Sequence, residues 1–132
     1  MSQGRETFFT VVGCMDGRVQ HLMEVLGQEK FNADYPDTIT EAGIVRAISN
    51  NPSQDFLKRL KFKLLVSVDK HHSRGILVDG HQECAGNPVE DSQHIEDIKK
   101  SVEVIKELIE KKVPVSGVFV KRGTSGWEAE EI

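Results

Sequence analysis

The chain has 132 residues, 38% of them hydrophobic and 29% charged, as expected of one globular domain over 1–132 whose core needs no disulfide or metal staple. Seventeen Lys and Arg stand against 21 Asp and Glu, a formal charge of −4 with no basic block, which argues against nucleic acid or an anionic membrane surface as partner. The N-terminal MSQGRETFF lacks an apolar leader, and no apolar run approaches the roughly 18 residues of a membrane span, so the expected setting is soluble and cytoplasmic.

Taken in chain order, Thr7–Gly13 (TFFTVVG) is short, β-branched and aromatic, and apolar on both sides of its alternation. It reads as a strand covered on both faces. Val19, Leu22, Met23 and Leu26 then fall at helical spacing, with Gly27 as an expected stop. Asn32 to Asp37 carries turn residues, and Asp37–Glu41 (DTITE) is a brief second strand. Between Ser53 and His72, Leu57, Leu60, Leu64 and Val68 keep helical spacing while Phe62, Leu64, Val66 and Val68 alternate like a strand; length favours a helix capped by Ser53. Gly75–Asp79 (GILVD) is a strand. Ile95, Ile98, Val102, Ile105 and Ile109 step by three and four through a helix that begins near Asp91 or Ser92 and ends before Pro114. Val115–Lys121 is a last strand, and GTSGWEAEEI reads as an acidic tail anchored only by Trp127.

This alternation predicts a three-layer α/β fold, with a mostly parallel central sheet of about four to five strands and helices on both faces. Ligands of such sheets bind beyond the carboxyl ends of the strands. Cys14 directly follows the first strand and His81 directly follows the Gly75 strand, so two separate pieces of chain deliver reactive side chains to one edge.

Cys14, Asp16 and Arg18 stand at i, i+2 and i+4 and share one side if the chain leaves the strand extended. His81 and Cys84 stand three apart, close enough in a turn to hold one ion. Cys14, His81 and Cys84 make a Cys2His set suited to zinc, with a fourth position left for water or for Asp16. The CMDGR element followed by GHQEC resembles the C-x-D-x-R and H-x-x-C signature of the β-class carbonic anhydrases. ILVDGHQEC is similar to that family's strand-plus-GHxxC element, and Glu41-Ala42-Gly43 sits where it usually has Asn-Ala-Gly. The resemblance covers roughly Thr7 to Gly86. Met15, Gly17, Glu41 and Ala85 depart from the usual residues.

The resemblance implies reversible hydration of carbon dioxide to bicarbonate by a metal-bound hydroxide, a carbonic anhydrase activity of the lyase class. It implies zinc held by Cys14, His81 and Cys84, with Asp16 and Arg18 as catalytic residues and Asp16 as a conditional fourth ligand. In that scheme Arg18 holds Asp16 off the metal by a bidentate pair and Asp16 orients the water. It also implies a homodimer or higher homo-oligomer. The alternatives are a related zinc hydrolase of carbonyl sulfide or carbon disulfide, and a catalytically silent zinc-binding relative. A phosphatase-type anion loop is excluded, because its arginine would fall at Gln20. Without a metal, Cys14 and Cys84 would be ordinary buried thiols and Asp16 with Arg18 a loop ion pair. His71 and His72 are expected at a helix end, His21 and His94 on solvated helix faces, and Glu83 in an exposed turn.

Overall fold

The computed structural model describes residues 6–132, so the start of the N-terminal segment weighed above, residues 1–5, lies outside the described residues. Five strands form one sheet: β1 (Phe8–Gly13), β2 (Tyr35–Thr40), β3 (Ile76–His81), β4 (Val115–Gly123) and β5 (Gly126–Glu131), in the order β2-β1-β3-β4-β5. The first four run parallel and β5 is antiparallel to β4. α1 (Gly17–Phe31) covers one face, where Val19 and Met23 meet Phe9, Val11, Leu77, Val118 and Val120. α2 (Ile44–Ser49), α3 (Gln54–Leu65) and α4 (Asp91–Leu108) cover the other over Val12, Ile76, Val78 and Phe119. The three-layer α/β arrangement expected from the alternation is therefore present.

Four local expectations change. Gly27 does not stop α1, which continues to Phe31 and ends at Asn32 in the left-handed region (φ 50°). A Cβ at Gly27 would lie 1.9 Å from the Phe9 ring, so this glycine serves the close approach of helix and strand. β2 begins two residues before the expected Asp37 and takes in Pro36, a residue an edge strand tolerates because one side of its backbone is unpaired. α2 went unpredicted, since six residues are too few for helical periodicity to show.

The last change is the largest. The expected acidic tail is strand β5, paired residue for residue with β4 from Gly123↔Gly126 to Val118↔Glu131. Thr124 and Ser125 make the two-residue turn between glycines, and Gly126 takes φ 135°. The pattern of Trp127 and Ala129 against Glu128 and Glu130 is the period-two signature of a strand with one packed face, and the first two pack on the α1 side. Its three glutamates and terminal position masked that signal.

α3 starts as expected, with Ser53 Oγ accepting from the Phe56 amide at 3.1 Å, and continues through a π-helical turn at Val66–Lys70. α4 packs most deeply: Ile98, Ile105 and the following Ile109 are fully buried. Ile105→Ala should lower unfolding free energy by about 3 kcal/mol, through lost transfer energy and a cavity that a rigid sheet cannot close. Chemical denaturation of the two proteins measures it.

Candidate metal centre

The order β2-β1-β3 makes the gap between β1 and β3 the place where the chain's connections diverge, with β1 leading outward to β2 and β3 onward to β4. A crevice opens there at the carboxyl ends of the strands. Cys14 leaves β1 at this point and His81 is the last residue of β3. Glu83 in the left-handed region (φ 57°) turns the chain back and brings Cys84 over Cys14. The Sγ atoms stand 3.7 Å apart, and the donor atoms of Cys14, His81 and Cys84 all lie within 4.8 Å of one another. All three side chains are buried.

Two observations test whether this set fits zinc. Two sulfurs each about 2.3 Å from a tetrahedral ion would stand about 3.8 Å apart, which matches the separation found. His81 Nδ1 is engaged with the Gln82 carbonyl at 2.6 Å, while its buried Nε2 has no hydrogen-bond partner among the described residues. An imidazole fixed through one nitrogen with the other bare is the arrangement of a metal-ligating histidine. The set fits.

Burial by itself would raise the Cys14 thiol, but the His81 ring and the backbone amides of Gly43 and Asp16 outweigh it and bring it down to about 7. Cys84 is pushed up by burial and then by the neighbouring Cys14, against the amides of Gly86 and Asn87. Burial lowers His81, yet Cys14, the Gln82 carbonyl and Asp16 together raise it above the ordinary histidine value. Two thiols this close resist double ionisation unless a cation sits between them.

The Gly43 amide donates to Cys14 Sγ at 3.5 Å. Gly43 sits at φ 59°, and a Cβ there would come within 2.5 Å of the Gly86 backbone, in the loop that follows Cys84. Gly43→Ala should therefore destabilise the fold by about 3 kcal/mol, combining left-handed strain with backbone collision. Metal affinity should fall with it, and urea unfolding alongside a zinc titration checks both.

Asp16 caps α1, its Oδ1 accepting from the Arg18 amide at 2.8 Å. The same carboxylate takes the Arg18 fork, Nε to Oδ1 at 3.0 Å and Nη2 to Oδ2 at 2.8 Å, and this holds the carboxyl down at about 2. Its Oδ2 is 3.9 Å from His81 Nε2, so the carboxylate borders the cluster. Cys14, Asp16, Arg18, His81 and Cys84 thus meet at one edge. Glu83 lies in an exposed turn and binds Arg18 and Arg122. His21 is exposed and His71 ends the π-helical turn as expected. His94 does not lie on a solvated face: it is 1% exposed beside Phe119, and burial lowers its pKa.

Three further groups escaped the sequence reading. Asp79 is fully buried in β3, its Oδ1 accepting from the Cys14 amide at 3.1 Å, and burial raises its carboxyl to about 7. It fills space over Gly13, where a Cβ would lie 1.8 Å from its oxygen. A lone acid inside ILVDGH was its signal. Gln20 Nε2 donates at 2.8 Å to the carbonyls of both Cys14 and Asp16, tying the loop to α1. Trp127 reaches Arg18 from the β4–β5 hairpin, and Arg122 lies over the same ring; the hairpin has no counterpart in the motif spacing.

A parallel α/β sheet with a buried Cys2His set at its switch point and a carboxylate beside it defines a metal-dependent enzyme class. Residues 4–132 match a family model described as putative carbonic anhydrase, and the chain belongs to that family. The structure is similar to β-carbonic anhydrase isoform I of Trichomonas vaginalis, with TM-score 0.62 and 18% identity over 98% of this chain and 86% of that one. It is also similar to one of two tetrameric β-carbonic anhydrases of Sordaria macrospora, with TM-score 0.59 and 14% identity over 98% and 82% of the two chains. A third similar structure, a mutant form of the Aspergillus fumigatus β-carbonic anhydrase CafD, gives TM-score 0.55 and 14% identity over 98% and 90%. No curated protein matches the chain in sequence.

Proposed function

We propose that this protein catalyses the reversible hydration of carbon dioxide to bicarbonate with zinc held by Cys14, His81 and Cys84. The observation that carries this is the convergence of two buried thiols at 3.7 Å with an imidazole whose Nε2 is bare. Zinc, when bound, supplies a Lewis acid that makes water nucleophilic near neutral pH.

The chain's own groups do the rest. Arg18 occupies both Asp16 oxygens and keeps the carboxylate ionised. Asp16, bordering the cluster, accepts a hydrogen bond from the attacking water and orients its lone pair towards carbon dioxide. The buried cluster excludes bulk water from its inner side, and substrate approaches from the side of Asp16 and Arg18. Because two thiolates would offset the charge of a divalent ion, zinc held here would acidify water less than zinc beside three imidazoles, and activity should rise towards alkaline pH.

The working form is a homodimer or a higher homo-oligomer, since the likeness to a tetrameric β-carbonic anhydrase is joined by surfaces that call for cover. β2 is a bare sheet edge, with Tyr35 on it, and Phe62 and Val66 are exposed apolar neighbours of its groove. Met15, next to Cys14, is 63% exposed and adds a further apolar side chain that a second subunit could cover. Two free cysteines paired for a metal favour a reducing compartment, the cytoplasm. Stopped-flow hydration across pH, on zinc-loaded protein, tests the activity. No rate above buffer at any pH overturns it, and turnover of carbonyl sulfide or carbon disulfide in its place would transfer the site to sulfur substrates.

A further inference from the structure

Arg18 is held by more than Asp16. Its Nη1 donates to Glu83 Oε1 at 3.3 Å and its Nη2 to the Glu83 carbonyl at 3.2 Å. Its guanidinium carbon lies 4.7 Å from the centre of the Trp127 ring. The same ring carries Arg122 at 4.6 Å, and Arg122 in turn grips Glu83 through Nε at 2.6 Å and Nη2 at 3.0 Å. Trp127 and Arg122 are direct cross-strand partners in the β4–β5 hairpin. One aromatic ring thus gathers two guanidinium groups that share one carboxylate.

An exposed arginine paired with a carboxylate two residues away has many ways to satisfy that pair, and water competes for each hydrogen bond. A π face limits the tilt of the guanidinium plane, and Glu83 limits its position in that plane. Only with both restraints does the fork stay aligned with both Asp16 oxygens. The consequence falls on the cluster, because Asp16 Oδ2 is already 3.9 Å from His81 Nε2. A carboxylate released from its fork needs only a small rotation to enter the space between the three donors.

We propose that Trp127 is a positioning residue for the Arg18–Asp16 pair, locking Arg18 so that Asp16 stays turned from the Cys14–His81–Cys84 cluster. The role rests on the metal-site reading above. It gives the terminal hairpin a function: β5 supplies the surface against which the site's arginine is set, and Glu83, next to Cys84 in sequence, connects that surface to the metal loop.

The test uses full-length protein loaded with cobalt(II), whose visible spectrum reports its ligands, and azide as a probe of an open coordination position. Wild type and Trp127→Phe should show the same azide-dependent change. Trp127→Ala and Trp127→Leu, the second keeping apolar bulk without a π face, should need at least tenfold more azide, with cobalt content unchanged. Adding Asp16→Asn to either should restore the wild-type response, which a merely structural defect would not allow. The proposal is overturned if a cobalt-loaded Trp127→Leu protein with native circular dichroism responds to azide as wild type does, or if Asp16→Asn fails to restore the response. A wild type that takes up no cobalt, or whose spectrum ignores azide, gives a different result and overturns the metal-site reading and this proposal together.

Discussion

Arg18→Ala should reduce carbon dioxide hydration roughly a hundredfold at neutral pH, the scale of losing one preorganised charged contact, while zinc content stays at one ion per chain. The candidate donors are not bonded to the guanidinium, which reaches their loop only through Glu83: Cys14 is held by the Gly43 amide and His81 by the Gln82 carbonyl. Asp16 moves from about 2 towards the ordinary value of 3.8 and remains ionised at pH 7, so loss of charge cannot explain a loss of activity. Loss of position can, because the freed carboxylate borders His81 Nε2 at 3.9 Å. The kinetic signature is a fall in kcat/KM with unchanged zinc, measured by stopped flow and elemental analysis.

The same substitution has an acid signature. A carboxyl whose folded pKa is depressed contributes stability above its unfolded value, near pH 4, and that contribution disappears as pH falls through about 2. Wild type should therefore exceed Arg18→Ala in thermal stability above pH 4, and the gap should close towards pH 2. The effect is modest, since the Asp16 side chain is 23% exposed and solvent screens the pair.

The second large effect concerns the metal. Cys84→Ser should weaken zinc binding by roughly three orders of magnitude, a fraction of the binding energy typical of such sites, because a serine hydroxyl does not ionise to take the place of a thiolate. Proton release provides the mechanism's own readout. Near pH 7 the Cys14 thiol, at about 7, is close to half ionised, and Cys84, held higher by burial and by Cys14, is protonated. Zinc uptake by wild type must then expel more than one proton per ion. Calorimetry in buffers of different ionisation enthalpy measures that number; a release below one proton would mean that the two thiols do not both become ligands.

Much of the site was legible because its residues are carried by short, continuous stretches. CMDGR and GHQEC each place their side chains through local geometry, the first by leaving β1 and entering α1, the second by one tight turn after β3. The strands β1, β3 and β4 and the helix α4 were legible for the same reason, since an apolar run or a 3.6-residue repeat is a property of consecutive residues. That two strand ends converge on one edge followed from the rule that parallel α/β sheets bind beyond their carboxyl ends.

What only the tertiary structure decided depends on residues far apart in the chain. Gly27 has the sequence look of a helix stop, but the Phe9 ring packed against it makes it an interior position of α1. His94 is polar by type and buried by the packing of α4 against Phe119. Asp79 became a partner of the Cys14 amide because β1 and β3 are neighbours, a pairing that a sequence separation of 65 conceals. Trp127 meets Arg18 only because an acidic, glycine-flanked terminus pairs with β4 across a two-residue turn. The amino-acid sequence by itself supplied the candidate donors Cys14, His81 and Cys84 and the α/β alternation, whose causes are local. The sheet order, the hairpin and the restraint on Arg18 arise from burial and hydrogen bonding between distant segments, which local periodicity does not encode.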